Sequence, residues 1–190
     1  MNPKLILASQ SPRRRELLAV LGIPFEVQSS QATEKTTSEG GPRELAKENA
    51  RLKALDVARQ NPDAWILGSD TVVALGNQIF GKPKSRSEAE AMLQSLQGQS
   101  HEVFTGVCVI NQSLASHELW SDVTKVGFRR LNEEQIGAYL DQMNPLDKAG
   151  AYAIQERGER IVSHVEGSLS NVVGLPLESV EAVLAKLGIK

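Results

Sequence analysis

The sequence predicts an α/β fold in which helices flank a mixed sheet. Short apolar runs, Leu5–Ala8 and Ala64–Leu67, alternate with helical patterns in the first half of the chain, which is typical of strands connected through helices. In the middle, the apolar runs Val103–Ile110 and Leu119–Leu131 are joined by the polar stretch Asn111–His117. Two such runs favour an antiparallel pair. The sheet is therefore expected to contain both parallel and antiparallel strands.

Length and composition indicate a globular protein with no unusual charge. A chain of 190 residues can form one substantial core or two small lobes, and no linker interrupts it, so we predict a single domain over residues 1–190. The net charge of −2 does not point to nucleic acid or an anionic membrane as a partner. The single cysteine, Cys108, is expected in the core and is consistent with a reducing cytoplasm. No signal peptide or membrane span is expected.

The first third of the chain predicts two helices with a loop between them. A helix is expected from Pro12 to Leu21, before Gly22, which is a good residue for ending a helix. Further segments are a short strand, a polar loop and a long helix, predicted at Pro24–Ser29, Gln31–Gly41 and Pro42–Arg59.

Two capping boxes predict helix starts in the rest of the chain. Ser87–Glu90 is expected to begin a helix that runs to Leu96, and Asn132–Gln135 one that runs to Met143. A hairpin is predicted around Gly76-Asn77. The C-terminal part is predicted as three short strands and a closing helix, at Ala151–Ile154, Arg160–Val165, Asn171–Val173 and Pro176–Leu187.

The start of the first helix carries an unusual charge. Ser11 is a good N-cap, and Pro12 suits the first helical position. Helix N-termini carry partial positive charge, yet Arg13, Arg14 and Arg15 follow at once. Free N–H groups and guanidinium groups together suit a phosphate. We therefore predict a phosphate site here, with three solvated arginines as the alternative.

Asp70-Thr71 is the strongest candidate for catalysis. We expect Asp70 just after a buried strand that ends at Leu67, a position that faces the cleft of an open α/β sheet. Its carboxylate could hold a divalent cation or act as a general base, although an Asp that starts a turn fits equally well. The segment Gly76–Lys82 resembles a P-loop, but Pro83 stands where Ser or Thr is needed, so a Walker loop is rejected.

Each of the other candidates has a functional and a structural interpretation. Lys82 either supplies a positive charge to the site or is an exposed lysine in a turn. Lys53, on an apolar stretch of helix, either extends to solvent or reaches a buried anion. Gln155 could recognise the edge of a base, or belong to a structural turn. Glu34 lies in a polar loop and would ordinarily be solvated. The histidines have no spacing typical of metal ligands, so any metal is expected to be bound by oxygen.

Together these segments resemble the Maf family of nucleoside triphosphate pyrophosphatases over nearly the whole chain. The motifs that carry the resemblance are, in order, Ala8–Leu18, Gly68–Val73, Gly81–Pro83, Gly98–His101, Asp147–Tyr152 and Val173–Pro176.

The resemblance implies a fold, a reaction and roles for individual residues. The fold is a Maf-like elongated mixed sheet with two lobes around a nucleotide cleft, in a cytoplasmic homodimer. Asp70 is implied as the general base or as the organiser of a metal-bound water, with Mg²⁺ or Mn²⁺ as the cofactor and Glu34 as a further ligand. Arg13, Thr71 and Gln155 are implied to recognise the nucleotide. The remaining expected binding residues are Ser11, Arg14, Lys53 and Lys82, the two lysines holding phosphates.

The segment Asp147–Gln155 is similar to the branch of the family that acts on dTTP and UTP. The expected reaction is hydrolysis of these or of modified nucleotides to the monophosphate and pyrophosphate. A 7-methyl-GTP pyrophosphatase is the alternative within the family. A nucleotide-binding regulator of cell division without catalytic activity is the alternative of another class. Neither nucleic acid nor a membrane is expected as a partner.

Overall fold

In the computed structural model, which describes residues 4–190, the strands form one mixed sheet. Its order is β2-β1-β3-β5-β6-β7, and β4 pairs beside β3. The strands are β1 Leu5–Ala8, β2 Glu26–Val27, β3 Trp65–Leu75, β4 Gln78–Phe80, β5 Ser100–Asn111, β6 Ser116–Phe128 and β7 Val162–Glu166. The helices are α1 Pro12–Ala19, α2 Gly41–Ala58, α3 Arg86–Leu96, α4 Glu133–Leu140, α5 Leu169–Val173 and α6 Leu177–Lys186.

The pairing confirms the predicted mixture of strand directions. Strand β1 runs parallel to both β2 and β3, because α1 and α2 connect these strands in the chain. The pairs β3–β5, β5–β6 and β6–β7 are antiparallel. The sheet is thus parallel at one side and antiparallel at the other.

Two of the apolar clusters lie toward opposite ends of the long strands, which contribute to both. One cluster packs α3 and α4 against the far end of β3, with Val73, Leu93 and Tyr139 at its centre. Another packs α1 and α6 against the start of β3 and includes Leu18 and Leu67. Because β3 and β5 contribute to both clusters, the clusters are joined by continuous backbone pairing.

Strand β3 does not end where the sequence suggested. It continues to Leu75, since β5 pairs with it without interruption from Ile66 to Ala74. The prediction that Asp70 lies beyond the end of a strand was therefore wrong. On the opposite edge, β1 pairs only residues 65–68 and β4 only residues 73–75, so no described strand covers residues 69–72. Asp70 lies beside this gap in the sheet.

Two glycines let α2 lie unusually close to the sheet beside Asp70. A Cβ at Gly68 would come within 2.8 Å of the Ala54 backbone nitrogen, and a Cβ at Gly106 within 2.6 Å of that of Lys47. Gly106 is also the cross-strand partner of Asp70. The absence of side chains at these two positions brings polar groups of α2 within reach of Asp70.

Local signals located most helices and missed some details. The capping box at Asn132 and Gln135 is confirmed, although α4 ends at Leu140. Helix α3 is capped by Ser85 rather than Ser87, and the Glu88 carboxylate accepts from the Lys84 N–H. Three helices, α1, α2 and α6, lie within their predicted ranges or one residue beyond them. Strand β2 lies within its predicted range but is shorter.

The short C-terminal strands were predicted less well. Strand β7 lies close to its predicted position. The segment expected as a strand at 151–154 follows a 3₁₀ turn in which Gly150 has φ 70° and Ala151 φ 61°, values incompatible with a strand. Asn171 lies in α5, whose N-cap is Ser168, so the strand expected at 171–173 was also wrong.

Cys108 is buried in the core as predicted, and desolvation raises the pKa of its thiol to about 12. A second buried titratable group, His101, packs edge-on against Phe128 and Tyr152. Its Nε2 lies 2.8 Å from the Tyr152 hydroxyl oxygen. Burial lowers the pKa of His101 to about 4. His101 is therefore neutral at physiological pH.

This buried histidine makes the protein sensitive to mild acid. In the unfolded chain the pKa of histidine is near 6.5, so between about pH 6.5 and pH 4 the unfolded state binds the additional proton. The free energy of unfolding then falls as pH falls. Between pH 7 and 4.5 we expect wild type to lose roughly 2–3 kcal/mol more than His101→Phe. Urea denaturation of both proteins at the two pH values measures this, and equal losses would contradict it.

Candidate active site

Asp70 lies at the centre of the site and is held by two groups of α2. Lys53 Nζ lies 2.6 Å from its Oδ1, and Asn49 Nδ2 donates to its Oδ2 at 3.1 Å. The residue is only 7% exposed. Of the two interpretations of Lys53, the structure favours the one in which it reaches a buried anion.

Glu34 completes an ion triad, by which we mean Glu34, Lys53 and Asp70. The Glu34 Oε1 lies 2.7 Å from Lys53 Nζ and 3.9 Å from Lys82 Nζ. Burial by itself raises the pKa of Glu34, but the cations Lys53, Lys82 and Arg14 together outweigh it, and the net pKa is below the usual range. Glu34 is therefore an ionised member of the site, although its side chain is 40% exposed.

Asn49 is a site residue that the sequence did not reveal. Besides contacting Asp70, its side chain accepts from the Lys35 N–H at 2.8 Å and donates to the Lys35 carbonyl at 3.0 Å. It thereby fixes the loop that carries Glu34 against α2. The available signal was its position one helical turn before Lys53 on the same face of the helix.

The helix start predicted as a phosphate site contributes two of its three arginines to the cleft. Ser11 caps the helix by accepting from the Arg14 N–H at 3.4 Å. Arg13 Nη1 lies 3.2 Å from Asp147 Oδ2. Arg15 is exposed and lines neither of the two pockets described below. Of the three arginines, Arg13 and Arg14 line the cleft, and the phosphate site itself stays a prediction.

Arg14 connects distant parts of the chain. Its Nε donates to the Gly174 carbonyl at 2.8 Å, and its Nη2 donates to Thr71 Oγ1 at 3.0 Å. Burial lowers the pKa of Arg14, against the opposing attraction of Asp70 and Glu34. These bonds hold one guanidinium at the gap in the sheet.

A second charged group surrounds Arg13. Lys148, 5% exposed, donates to the Asn144 carbonyl at 2.6 Å and lies 2.8 Å from Asp147 Oδ1. Glu156 lies 3.4 Å from Lys148 Nζ and 3.8 Å from Arg13 Nη1. Burial raises the pKa of Asp147, but Lys148 and Arg13 outweigh it and the net pKa is lowered.

All nine predicted site residues line one or both of two adjoining pockets. The first pocket combines polar groups with the apolar side chains of Val73, Val103 and Val172, and the second is strongly charged. The first holds Ser11, Arg13, Arg14, Asp70, Thr71, Lys82 and Gln155, and the second holds Ser11, Arg13, Arg14, Glu34, Lys53 and Lys82. The roles assigned to these residues stay predictions.

Two acidic groups of the cleft bear on the expected oxygen-bound metal. Within residues 4–190, no three His, Cys, Asp or Glu side chains come together as a metal site. Glu34 and Asp70 nevertheless each place a carboxylate oxygen within 2.7 Å of the same Lys53 nitrogen. Mg²⁺ is commonly held by one or two carboxylates together with substrate phosphates, so this pair fits such an ion.

The family model for the Maf-like protein matches residues 4–187, nearly the whole chain. The chain belongs to the Maf family. A relative from Anaeromyxobacter dehalogenans (strain 2CP-1 / ATCC BAA-258), called a dTTP/UTP pyrophosphatase, is 46% identical over 190 residues, which cover 99% of this chain and 96% of the relative. One from Moorella thermoacetica with the same name is 46% identical over 186 residues, covering 98% and 96%.

A solved structure supports the fold of this Maf-family chain. A HAM1 protein from Coxiella burnetii superimposes with a TM-score of 0.56 at 18% identity, covering 97% of this chain and 99% of that one. At this identity the likeness concerns the fold alone. Over residues 4–190, no helix of the Maf-family chain is both long and apolar enough to cross a bilayer.

Proposed function

We propose that this Maf-family chain is a pyrophosphatase that hydrolyses dTTP and UTP to the monophosphate and pyrophosphate. The observation that carries the proposal is the ion triad at the gap in the sheet, next to a helix start bearing Arg13 and Arg14. The names of the relatives with 46% identity over nearly the full chain support the same activity.

The charged pocket suits a triphosphate. Arg13, Arg14, Lys53 and Lys82 line it, and the N-terminus of α1 opens into it. Guanidinium and ammonium groups stabilise the negative charge that develops on the phosphates during bond cleavage. Two carboxylates, Glu34 and Asp147, also line this pocket.

The adjoining pocket suits a nucleobase. Tyr152, Val103 and Val172 supply apolar surface, and Gln155 supplies an amide. An amide both donates and accepts, so it can pair with the carbonyl and N–H of thymine or uracil. Within residues 4–190 no hydrogen-bond partner is found for this amide, which leaves it available to a ligand.

Asp70 is the proposed general base. Its carboxylate takes a proton from a water that attacks the α-phosphorus, and the bond between that phosphorus and the bridging oxygen breaks, releasing pyrophosphate. Asn49 and Lys53 hold the carboxylate in a fixed orientation.

We further propose that Asp70 and Glu34 hold a divalent cation, Mg²⁺ or Mn²⁺, together with the phosphates of the substrate. When bound, the cation neutralises phosphate charge and lowers the pKa of a coordinated water. The homodimer and the cytoplasmic location implied by the family resemblance stay predictions.

A substrate panel tests the reaction and the branch. At fixed Mn²⁺ and protein concentrations, we expect dTTP and UTP to be hydrolysed with a kcat/KM roughly tenfold to a hundredfold above that for ATP and GTP, because each unpaired buried hydrogen-bonding group costs about 1–3 kcal/mol. Pyrophosphate release is the readout.

The outcomes of the panel separate the three candidate functions. If 7-methyl-GTP exceeds dTTP and UTP in kcat/KM, the assignment to the dTTP/UTP branch is wrong, but the assignment as a pyrophosphatase stands. If no triphosphate is hydrolysed while nucleotide still binds, the chain is a nucleotide-binding regulator instead.

A further inference from the structure

Two threonines, one half-buried and one buried, form a hydrogen-bonded pair at the cleft. Thr71 on β3 and Thr105 on β5 are direct cross-strand partners, and their hydroxyl oxygens lie 3.1 Å apart. Thr71 lines the first pocket, whereas Thr105 is fully buried. Thr105 therefore does not line the cleft, but it contacts a residue that does.

The hydrogen bonds around this pair fix the direction of each hydroxyl. A threonine hydroxyl has one hydrogen to donate. Thr105 Oγ1 lies 2.9 Å from the Asn171 carbonyl oxygen, which can only accept, so the hydrogen of Thr105 points there. Thr105 must then accept from Thr71. The Thr71 hydroxyl has donated its hydrogen inward and offers only lone pairs on its other side.

Those lone pairs are used in the cleft. One accepts from Arg14 Nη2 at 3.0 Å. If Thr71 were free to rotate, its hydrogen could point toward this guanidinium, which would repel it. The inward bond to Thr105 prevents that orientation, and so secures one of the two anchors of Arg14.

The far end of this chain of bonds is itself fixed. Asn171 is fully buried, and its Nδ2 donates to the Val103 carbonyl at 3.0 Å and to Thr124 Oγ1 at 2.9 Å. The carbonyl that orients Thr105 thus belongs to a residue tied to both β5 and β6.

We propose that Thr105 is a positioning residue for the pyrophosphatase reaction. It fixes the Thr71 hydroxyl as a hydrogen-bond acceptor and, through Thr71, holds Arg14 where a triphosphate binds. This inference rests on the proposed function, because it assigns to Thr105 an effect on triphosphate affinity.

The experiment compares Thr105→Val with Thr105→Ser and a matched control. Valine keeps the shape of threonine and removes the hydroxyl, so we expect KM for dTTP to rise about tenfold, with a smaller change in kcat. Serine retains the hydroxyl and should restore KM. The control is Ser179→Ala, which also removes a partly buried hydroxyl but one that bonds to Trp120, Asp122 and the Pro176 carbonyl and has no bond to this chain of groups.

A double-mutant cycle with Thr71→Val identifies the route. If Thr105 acts through Thr71, the double variant has the same KM as Thr71→Val alone. Thermal melts of all variants show whether Thr105→Val and Ser179→Ala lose comparable stability. Comparable stability with a raised KM only in Thr105→Val supports positioning.

The inference is overturned if Thr105→Val and Ser179→Ala have the same KM, if serine does not restore KM, or if the losses of Thr105→Val and Thr71→Val add fully. Failure of the proposed function looks different. In that case wild type itself releases no pyrophosphate from dTTP or UTP.

Discussion

Replacing Asp70 with asparagine is expected to lower the kcat for dTTP hydrolysis by about 10²–10⁴-fold while nucleotide binding is retained. An amide cannot accept the proton of the attacking water. Its NH₂ group also cannot replace both carboxylate oxygens toward Lys53 and Asn49. Binding is retained because the substitution removes a negative charge from a cleft that holds a polyanion. Pyrophosphate release gives kcat, and calorimetric titration with dTTP gives Kd.

The matched control is Asp63→Asn, which makes the same chemical change at an exposed turn far from the cleft along the sheet. It should leave kcat and KM unchanged. Near-normal turnover in Asp70→Asn would remove Asp70 from the mechanism. Loss of both binding and the folded circular-dichroism spectrum would mean that the carboxylate is chiefly structural.

The second large effect is expected for Arg13→Ala. Losing a charge-assisted hydrogen bond to a phosphate costs about 1.5–3 kcal/mol, so kcat/KM for dTTP should fall roughly tenfold to a hundredfold. Stability should scarcely change, because Asp147 is half exposed and such a partly solvated pair contributes about 1 kcal/mol or less. Removing a cation from a helix N-terminus also relieves repulsion.

Arg15→Ala is the control for this prediction, since Arg15 lies on the same helix turn but is exposed and away from both pockets. It should keep wild-type kinetics. Equal kinetic losses in the two variants would indicate a general effect of charge rather than a contact by Arg13. A drop in melting temperature beyond a few degrees in Arg13→Ala would show that Arg13 is structural.

Signals contained within a few residues were read correctly from the sequence. The Ser11 cap with Pro12 starts α1, and the capping box at Asn132 and Gln135 starts α4, because each bond joins groups one helical turn apart. Apolar periodicity likewise placed α2 and the long strands. Where two serines compete for one cap, as at Ser85 and Ser87, the local pattern could not choose between them.

The class of fold, the family motifs and the nine candidate residues follow from short-range pattern and residue type. How these residues meet depends on tertiary contacts. Strand β3 passes through Gly68–Thr71 because β5 pairs with it along its length, and Glu34 joins Lys53 because Asn49 fixes its loop. Such contacts join groups far apart in the chain, and their geometry is set by strand register and by the close approach of α2, which no local pattern records.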